Sequence, residues 1–473
     1  MKKNLRTLKA TVCGLMVISL ATGCADYRNE ELSTYDTQSG YRFEELEPGE
    51  NNSDSVFIYL AFSGGGTRAA AFAYGVLQGL RETSMGSGTA LDEVDIISSV
   101  SGGSFTAIGY GLWRDQLFDG HFENRFLRHN IQGDLLRRAL NPVNWFLEPD
   151  SGAMAAKYYD KYIFKGGTYD DVLRAKRRPF VVLNATDLAR QEQFEFTQET
   201  FDLLGSDLSK LPVAWAAASS SAFPVAFDPL RFKYFSGQAM AAAVRKTISG
   251  QGQSLLHDSR RRWAQSLIVA GEREGAADVQ IDDDNHKYMY LADGGLVDNL
   301  GISNFYKQFR AGVIKHRIEQ GKTDHVVVIL VDAGTEPQNK LEHSSSTPGK
   351  LLVGVRSATS GVYTITWLMT VVSKYILLEA EPGVREAYEE CREAIQAHYP
   401  DATPPETPPL KRATTYLVDI NFRRVEDSEK RQRLLTMPTN FALEDEQVDE
   451  LIEAGRTLVG QHPELRRLMQ NLR

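Results

Sequence analysis

Strongly apolar runs in this chain repeatedly end in loops of small residues and then continue into segments with helical periodicity. Val56–Phe62 precedes a glycine-rich loop, and Val94–Val100 precedes the turn Ser101-Gly102-Gly103. His325–Asp332 is the most hydrophobic of these runs. Apolar strands that alternate with helical segments are typical of a sheet covered by helices. From residue 54 onward, the sequence therefore predicts an α/β fold.

The composition is that of a globular protein. Of the 473 residues, 42% are hydrophobic and 24% are charged, so the chain can bury a sizeable core. The length fits two or three domains or one large α/β domain. The net charge of -9 disfavours nucleic acid as a partner, since phosphate binding requires clustered lysine and arginine. We therefore expect no nucleic-acid binding.

The first 24 residues have the features of a bacterial export signal. Lysine and arginine residues in the first nine positions precede the apolar residues 10–22, which are too few to span a bilayer. The stretch ends in Leu20-Ala21-Thr22-Gly23-Cys24, which resembles a lipobox. The sequence thus predicts a signal peptide over residues 1–23 and lipidation of Cys24. An ordinary secretion signal with an incidental cysteine is the alternative.

The segment that follows the signal is polar and acidic and has neither helical nor strand periodicity. Residues 24–55 are therefore predicted to form a flexible tether with a reach of roughly 30 Å. Ala25, rather than aspartate, follows the cysteine, and resemblance to bacterial lipoproteins then implies sorting to the outer membrane, with a periplasmic or cell-surface location as the alternatives. We expect a protein of the cell envelope that contacts the membrane through its N-terminal lipid anchor.

Ser101 is the candidate nucleophile. It follows an apolar run and has the small residues Ser99 and Gly103 two positions away on either side. A serine on such a sharp strand-to-helix turn exposes its hydroxyl for attack. A hydroxyl needs a neighbouring base before it becomes a good nucleophile. A serine- and glycine-rich turn without any chemistry is the alternative.

The glycine-rich loop is the candidate site for an oxyanion. Gly64, Gly65 and Gly66 lack a Cβ and can present backbone N–H groups, and the N–H of Gly102 could add another donor. A nucleotide phosphate cradle is the alternative, but no G-K-[ST] sequence follows. Arg68 could steady this loop, hold a phosphate headgroup or form a surface salt bridge.

Asp293 is the candidate base. It lies in Tyr290-Leu291-Ala292-Asp293-Gly294-Gly295, after another apolar run. A carboxylate serves as a base near neutral pH when it is partly desolvated. Asp298 and Asp332 are the next candidates. A Ser–Asp–His triad stays open, because three histidines follow Asp293 in the chain, namely His316, His325 and His343.

Other segments carry no decisive chemistry. No cluster of potential ligands predicts a metal site, and the acidic residues 282–284 fit a solvated loop. Arg114–Arg178 is predicted to be mostly helical, and it could cover the site or form a peripheral layer. Val362–Leu378 is predicted as a buried core helix, with an interfacial helix as the alternative. We expect residues 56–340 to form the catalytic domain and residues 341–473 to form a mainly helical part packed on it.

Together these motifs resemble those of the patatin-like phospholipases. The loop Ser63–Ala69 is similar to that of the related cytosolic phospholipases, and Ala217–Pro224 resembles the small-residue block of the family. The resemblance implies a three-layer α/β/α fold with a mostly parallel sheet and helical insertions. It also implies a Ser–Asp dyad, Ser101 and Asp293, with Gly64–Gly66 in the oxyanion hole. The chain departs from the family pattern at Ser99, where the first glycine of the elbow is expected.

The sequence therefore predicts a lipid acyl hydrolase of the phospholipase A or lysophospholipase type. The expected substrate is a phospholipid or another acyl ester, and no cofactor is expected. Two alternatives stay open. One is an esterase or thioesterase acting on other acyl groups, and the other is a catalytically silent envelope lipoprotein that binds acyl chains.

Overall fold

The computed structural model describes residues 28–141, 150–224, 226–249, 255–269, 279–310, 313–336, 382–400, 402 and 413–472. The strands in these ranges are β1 Glu30–Glu31, β2 Val56–Phe62, β3 Ser84–Met85, β4 Gly88–Thr89, β5 Val94–Val100, β6 Phe180–Asp187, β7 Glu192–Glu195, β8 Ser206–Asp207, β9 Leu230–Lys233, β10 Tyr288–Asp293, β11 His325–Asp332 and β12 Thr414–Asn421.

Along the chain, helices alternate with the longer strands, as the sequence pattern predicts. The α-helices in the described ranges are α1 Gly66–Glu82, α2 Gly102–Trp113, α3 Ile131–Ala139, α4 Ser151–Tyr159, α5 Tyr169–Leu173, α6 Gln198–Asp202, α7 Val213–Ser220, α8 Gln238–Ser249, α9 Leu255–Ser266, α10 Ser303–Arg310, α11 Val313–Glu319, α12 Pro382–His398, α13 Ser428–Thr436, α14 Asp445–Gln461 and α15 Pro463–Asn471. None of the helices in the part of the chain that the structure describes is both long and apolar enough to cross a membrane.

A single eight-stranded sheet organises the molecule. Its strands lie in the order β12-β11-β2-β5-β6-β10-β9, and β7 pairs with β6 beside this path. The strands from β12 to β6 run parallel, whereas β10, β9 and β7 pair antiparallel with their neighbours. Helices flank this mostly parallel sheet, which confirms the predicted three-layer α/β/α fold.

The apolar runs of the sequence become the centre of the sheet. Every residue of β2, β5 and β6 is buried, and so are all residues of β11 except its first and last. Strands of a parallel sheet are covered on both faces, so their sequences are continuously apolar rather than alternating. Burial on both faces explains why β2, β5 and β11 could be predicted from their apolar runs.

The pairing of β10 decides where its last residue lies. Because β10 runs antiparallel to β6, Asp293 pairs with Ala185, and on the other side of β6 Val100 pairs with Asn184. The last residues of β5 and β10 therefore lie at the same level of the sheet. This register brings Ser101, the residue after Val100, and Asp293 to one edge although almost 200 positions separate them.

Helix α14 packs tightly on α1. A Cβ on Gly75 would lie 2.1 Å from the backbone oxygen of Ile452, and one on Gly455 would lie 2.5 Å from that of Phe72. Glycine at both positions lets the two helix backbones approach each other closely. Val448 and Leu451 of α14 are buried, so the apolar face of this helix packs into the core.

Residues 28–55 pack on the sheet, so the prediction of a flexible tether is wrong for this part of residues 24–55. Tyr41 is completely buried; its hydroxyl donates to the Val181 carbonyl at 3.0 Å and accepts from the Val181 N–H at 2.9 Å. Arg42 forms a buried ion pair with Asp202 at 2.6 Å. The polar composition masks these few anchoring side chains. Residues 1–23 and Cys24 lie outside the described residues.

The end of the chain completes the sheet. Strand β12 pairs along its whole length with β11, at the edge of the sheet, although the sequence predicts a mainly helical part over residues 341–473. Every second residue of β12 is buried from Tyr416 onward, as expected for an edge strand. Val362–Leu378, the predicted core or interfacial helix, lies outside the described residues.

Candidate active site

The turn between β5 and α2 holds Ser101 in a conformation that L-residues rarely adopt. Its backbone has φ 50° and ψ -122°, and a positive φ is uncommon outside glycine. A sharp strand-to-helix turn of this kind carries the side chain away from the backbone. The N–H of Ser101 donates to Ser220 Oγ at 2.9 Å, which fixes the turn, while the residue itself lines a large cavity.

The glycines after Ser101 are required by the contact between two loops. A Cβ on Gly102 would lie 1.9 Å from the backbone oxygen of Gly66, and one on Gly103 would lie 2.7 Å from that of Ser63. No side chain fits between the serine turn and the glycine-rich loop. The two loops therefore touch through backbone atoms, and this contact places the amide groups of the loop beside Ser101.

Ser99 is tolerated at the position where a glycine was expected. Its side chain is buried, and its hydroxyl donates to the Val182 carbonyl at 3.4 Å and accepts from Ser104 Oγ at 3.1 Å. The hydroxyl thus has partners on β6 and α2. The departure from the family pattern leaves the turn intact.

Asp293 lies beside Ser101 in the same buried pocket. Its Oδ1 accepts from the N–H of Gly295 at 2.8 Å, and its backbone oxygen accepts from the Thr186 hydroxyl at 2.8 Å. Burial raises the pKa of Asp293 to about 6, against the lowering effect of the Gly295 N–H and of the Ser101 hydroxyl. A carboxyl with this pKa is mostly ionised at neutral pH, yet it is a stronger base than an exposed aspartate.

The glycine-rich loop presents some of its amides to the cavity. The N–H groups of Gly65, Gly66 and Gly102 have no protein acceptor within the described residues, whereas that of Gly64 donates to the Asn299 carbonyl at 3.0 Å. The Gly64 amide is engaged with Asn299 in this structure, and the oxyanion role of Gly64 stays a prediction. A Cβ on Gly64 would lie 2.4 Å from Asn299 Oδ1, so the glycine makes room for Asn299.

Arg68 steadies the glycine-rich loop. Its Nε donates to the Ala333 carbonyl at 2.9 Å, and its Nη1 donates to the Met437 carbonyl and to Thr439 Oγ1, each at 2.8 Å. The side chain is buried, so the alternative of a surface salt bridge is wrong. Arg68 also lines the cavity, so the alternative of a headgroup contact stays a prediction.

Two residues from the end of the chain hold the same loop, and sequence reasoning missed them. The Asn440 carbonyl accepts from the N–H of Thr67 at 2.9 Å, and Thr439 accepts from Arg68. A Cβ on Gly66 would lie 2.3 Å from the Asn440 backbone oxygen. These residues carry no motif, and their contact with a loop about 370 positions away has no signal in a single sequence.

One cavity of about 1030 Å³ connects these groups. Ser101, Asp293 and the glycine-rich loop line one part of it. The remaining wall is largely apolar. Its apolar residues include Leu135 and Met154 and three with aromatic rings, Phe223, Phe227 and Phe441. A cavity of this size whose surface is mostly apolar fits an extended hydrocarbon chain. Its wall also holds polar side chains, among them Asp332, Asn421 and Arg423.

The helical insertion forms part of the cavity wall. Helix α3 contributes Leu135 and Leu136, and α4 contributes Ser151 and Met154. The insertion Arg114–Arg178 thus lines the cavity, and a role in covering the site stays a prediction.

The other candidate acids have different surroundings. Asp298 is buried and accepts from the N–H groups of Leu300, Gly301 and Ser303 at 2.7 to 3.1 Å, so it fixes the loop after Asp293. Asp332 lines the cavity and accepts from the N–H of Gly334 at 2.8 Å, and burial raises its pKa.

The described part of the chain places no histidine in the cavity wall. His325 begins β11 and therefore lies at the opposite end of the strands from Ser101. His316 is exposed on α11, and His343 lies outside the described ranges. Across those same ranges, no group of three or more potential ligands could hold a metal ion.

The sequence model of the patatin-like phospholipase family matches residues 60–306, which is more than half of the chain. The chain belongs to the patatin-like phospholipase family. The matched region contains the glycine-rich loop, Ser101 and Asp293. In this patatin-like chain, Thr439 and Asn440 lie beyond the matched region, although they form hydrogen bonds with the segment at the glycine-rich loop. No curated protein sequence matches the chain significantly.

Solved structures of low sequence identity resemble this patatin-like chain. Human GIVD cytosolic phospholipase A2 is 12% identical with a TM-score of 0.43, over 89% of this chain and 62% of its own length. Its complex with methyl gamma-linolenyl fluorophosphonate is 13% identical with a TM-score of 0.42, over 89% of this chain and 59% of the other. VipD from Legionella pneumophila is 11% identical with a TM-score of 0.28, over 96% of this chain and 72% of its own length. The chain thus spans about 60% of the length of the cytosolic phospholipase.

Proposed function

We propose that this protein is a serine acyl hydrolase that cleaves acyl chains from phospholipids or lysophospholipids through a dyad of Ser101 and Asp293. The observation that carries the proposal is the position of the Ser101 hydroxyl. It lies beside a buried carboxyl with a raised pKa and faces a cavity that holds unpaired backbone amides. Membership of the patatin-like phospholipase family supports the same reaction class.

The proposed reaction begins with the transfer of the Ser101 proton to Asp293. As the Ser101 oxygen bonds to the ester carbonyl carbon, the carbonyl oxygen becomes an oxyanion and accepts hydrogen bonds from the amides of Gly65, Gly66 and Gly102. The bond to the leaving alcohol then breaks, and the alcohol takes the proton from Asp293. Water then attacks the acyl-enzyme and gives a proton to Asp293. The bond between the acyl carbon and the Ser101 oxygen breaks, that oxygen takes the proton from Asp293, and the fatty acid leaves.

The walls of the cavity favour a long acyl chain. Phe223, Phe227 and Phe441 offer apolar contacts that a short-chain acyl group fills only in part. Each buried methylene contributes about 0.8 kcal/mol. We therefore expect kcat/KM to rise with acyl length for monomeric esters, which also distinguishes a lipid hydrolase from an esterase for small acyl groups.

The dyad is tested by hydrolysis of a soluble short-chain ester. Ser101→Ala and Asp293→Asn should each abolish turnover, because one removes the nucleophile and the other removes the base. Ser55→Ala is the matched control, since this partly buried serine precedes β2 at the opposite end of the strands and should keep full activity. Turnover retained in either dyad variant contradicts the mechanism. If the unmodified protein turns over soluble esters rapidly but does not hydrolyse phospholipids, the esterase or thioesterase alternative is favoured.

We further propose that Cys24 carries a lipid and anchors the protein in the cell envelope, at the outer membrane. The lipobox-like sequence supports this proposal, and the packing of the N-terminal segment shortens the link to the anchor. Asn29 is fixed to the body by hydrogen bonds with Ser206 Oγ at 3.2 Å and the Lys233 carbonyl at 2.9 Å. Five residues reach at most about 17 Å. Cys24→Ser should move the protein from the membrane fraction to the soluble fraction, and unchanged membrane retention contradicts the anchor.

A further inference from the structure

Helix α3 exposes large apolar side chains at the mouth of the cavity. Leu135 of this helix is buried, whereas Leu136 also lines the cavity and is 58% exposed. Leu140, one turn further along and immediately after the helix, is 66% exposed. Side chains four positions apart share one face of a helical segment. Two adjacent exposed leucines beside an apolar cavity form a continuous apolar surface, which is informative in a way that a single exposed leucine is not.

Cations surround these leucines. The side chain of Arg137 is 84% exposed, and the Arg138 guanidinium lies over the ring of Tyr162 at 5.2 Å. The Lys161 ammonium lies 5.1 Å from the centre of the same ring. Arg137 pairs with Asp134 of the same helix at 3.3 Å, and Asp160 directly precedes Lys161. Beside the exposed leucines, the three cations Arg137, Arg138 and Lys161 thus outnumber these two carboxylates.

The N-terminal segment enters the body beside the same surface. Arg28 lies close enough to Asp160 to lower its pKa, against the raising effect of burial. Asp160 directly precedes Lys161 and Tyr162 in the chain. A lipid on Cys24, four residues before Arg28, would thus insert near the mouth of the cavity rather than on the far side of the molecule.

We propose that this surface docks onto an anionic phospholipid bilayer. We call it the α3 rim, defined by Leu136, Leu140, Tyr162, Arg137, Arg138 and Lys161. The leucines would enter the region of the acyl chains, the tyrosine would lie among the headgroups, and the cations would contact lipid phosphates. The inference rests on the proposed lipid hydrolase function, since an acyl chain could then pass from the bilayer into the cavity without crossing water.

A fluorescent probe that responds to polarity tests the proposal in the full chain. Cys13, Cys24 and Cys391 are changed to serine, so that a single introduced cysteine carries the probe and no lipid anchor contributes. Leu140→Cys places the probe on the rim, and Leu188→Cys is the matched control, because Leu188 is 39% exposed and lies in the turn after β6. With vesicles of phosphatidylcholine and phosphatidylglycerol, emission should shift to the blue at position 140 and stay unchanged at position 188.

Charge and apolar contact are then separated by substitution. Arg137→Glu should weaken partition onto these vesicles by about tenfold or more, since each cation near an anionic surface contributes about 1 kcal/mol and reversal counts twice. Leu140→Asp should have a similar effect, and Leu188→Asp should have none. Neither Arg137 nor Leu140 lines the cavity, so all three variants should hydrolyse a soluble ester at the unmodified rate.

The outcomes distinguish the docking proposal from the proposed function. An identical response of the probes at positions 140 and 188, or equal partition of all variants, overturns the α3 rim while Ser101-dependent hydrolysis of a soluble ester still stands. Conversely, a Ser101→Ala variant that keeps ester hydrolysis overturns the dyad whatever the probes report. Equal partition onto neutral and anionic vesicles contradicts the role given to the cations.

Discussion

Gly102→Ala probes the contact between the serine turn and the glycine-rich loop. The added Cβ would lie 1.9 Å from the backbone oxygen of Gly66 and 2.7 Å from its nitrogen. Ordinary carbon–oxygen contacts require over 3 Å, so the two loops must separate by roughly 1.5 Å. Both obstructing atoms belong to backbone, and no flexible side chain can move aside. The separation carries the amides of Gly65 and Gly66 away from Ser101.

The expected result is a loss of about a hundredfold or more in kcat for a soluble ester, because misplacement of catalytic groups by about 1 Å costs that much. Gly111→Ala is the matched control in the same helix, α2, where the nearest atoms are side-chain methyl groups at 3.3 Å rather than backbone at 1.9 Å. It should keep nearly full activity. Steady-state kinetics and circular dichroism on both variants decide the matter. A Gly102→Ala enzyme with unchanged kcat refutes the close apposition of the two loops.

Three further predictions follow from buried polar groups. Because burial raises the pKa of Asp293 to about 6, kcat/KM should rise with pH to a plateau above about pH 7 and fall tenfold per pH unit well below 6; a profile flat from pH 5 to 8 contradicts its role as base. The folded-state pKa of about 6 lies above the ordinary value of 3.8, so the free energy of unfolding falls as pH rises from about 4 to about 6, and ionised Asp293 destabilises the fold above that pH. Asp293→Asn should therefore be inactive yet more stable at pH 7, by about 2–3 kcal/mol in urea denaturation. Tyr41→Phe should lose about 1–3 kcal/mol of unfolding free energy in the same assay, because it leaves the Val181 N–H without its acceptor, with ester hydrolysis unchanged.

Local signals in the sequence account for the strands and loops that build the site. Val94–Val100 carries four apolar residues in seven and is buried throughout because both faces of the sheet are covered, and the serine turn follows from the small residues after it. The position of Asp293 relative to Ser101 could be predicted only through the family resemblance. It depends on the antiparallel pairing of β10 with β6, which periodicity cannot reveal.

The contacts that sequence reasoning missed are long-range or involve few residues. Thr439 holds the glycine-rich loop through its hydroxyl, Asn440 holds it through its backbone carbonyl, and neither residue belongs to a motif. Tyr41 and Arg42 tie the N-terminal segment to the sheet, although the composition of that segment indicates a tether. Gly64 was assigned a donor role from its residue type, whereas its amide is already taken by Asn299. Hydrogen bonds and ion pairs of this kind depend on tertiary packing and leave no periodic pattern in the sequence.

The most direct test of the central claim is the mass of the covalent adduct formed with an alkyl fluorophosphonate, mapped by peptide sequencing. The dyad account predicts one adduct per chain, on Ser101. It also predicts no adduct in Ser101→Ala and strongly slowed labelling in Asp293→Asn. An adduct on another serine, or equally fast labelling of the Asp293→Asn protein, contradicts the claim that this hydroxyl and this carboxyl act together.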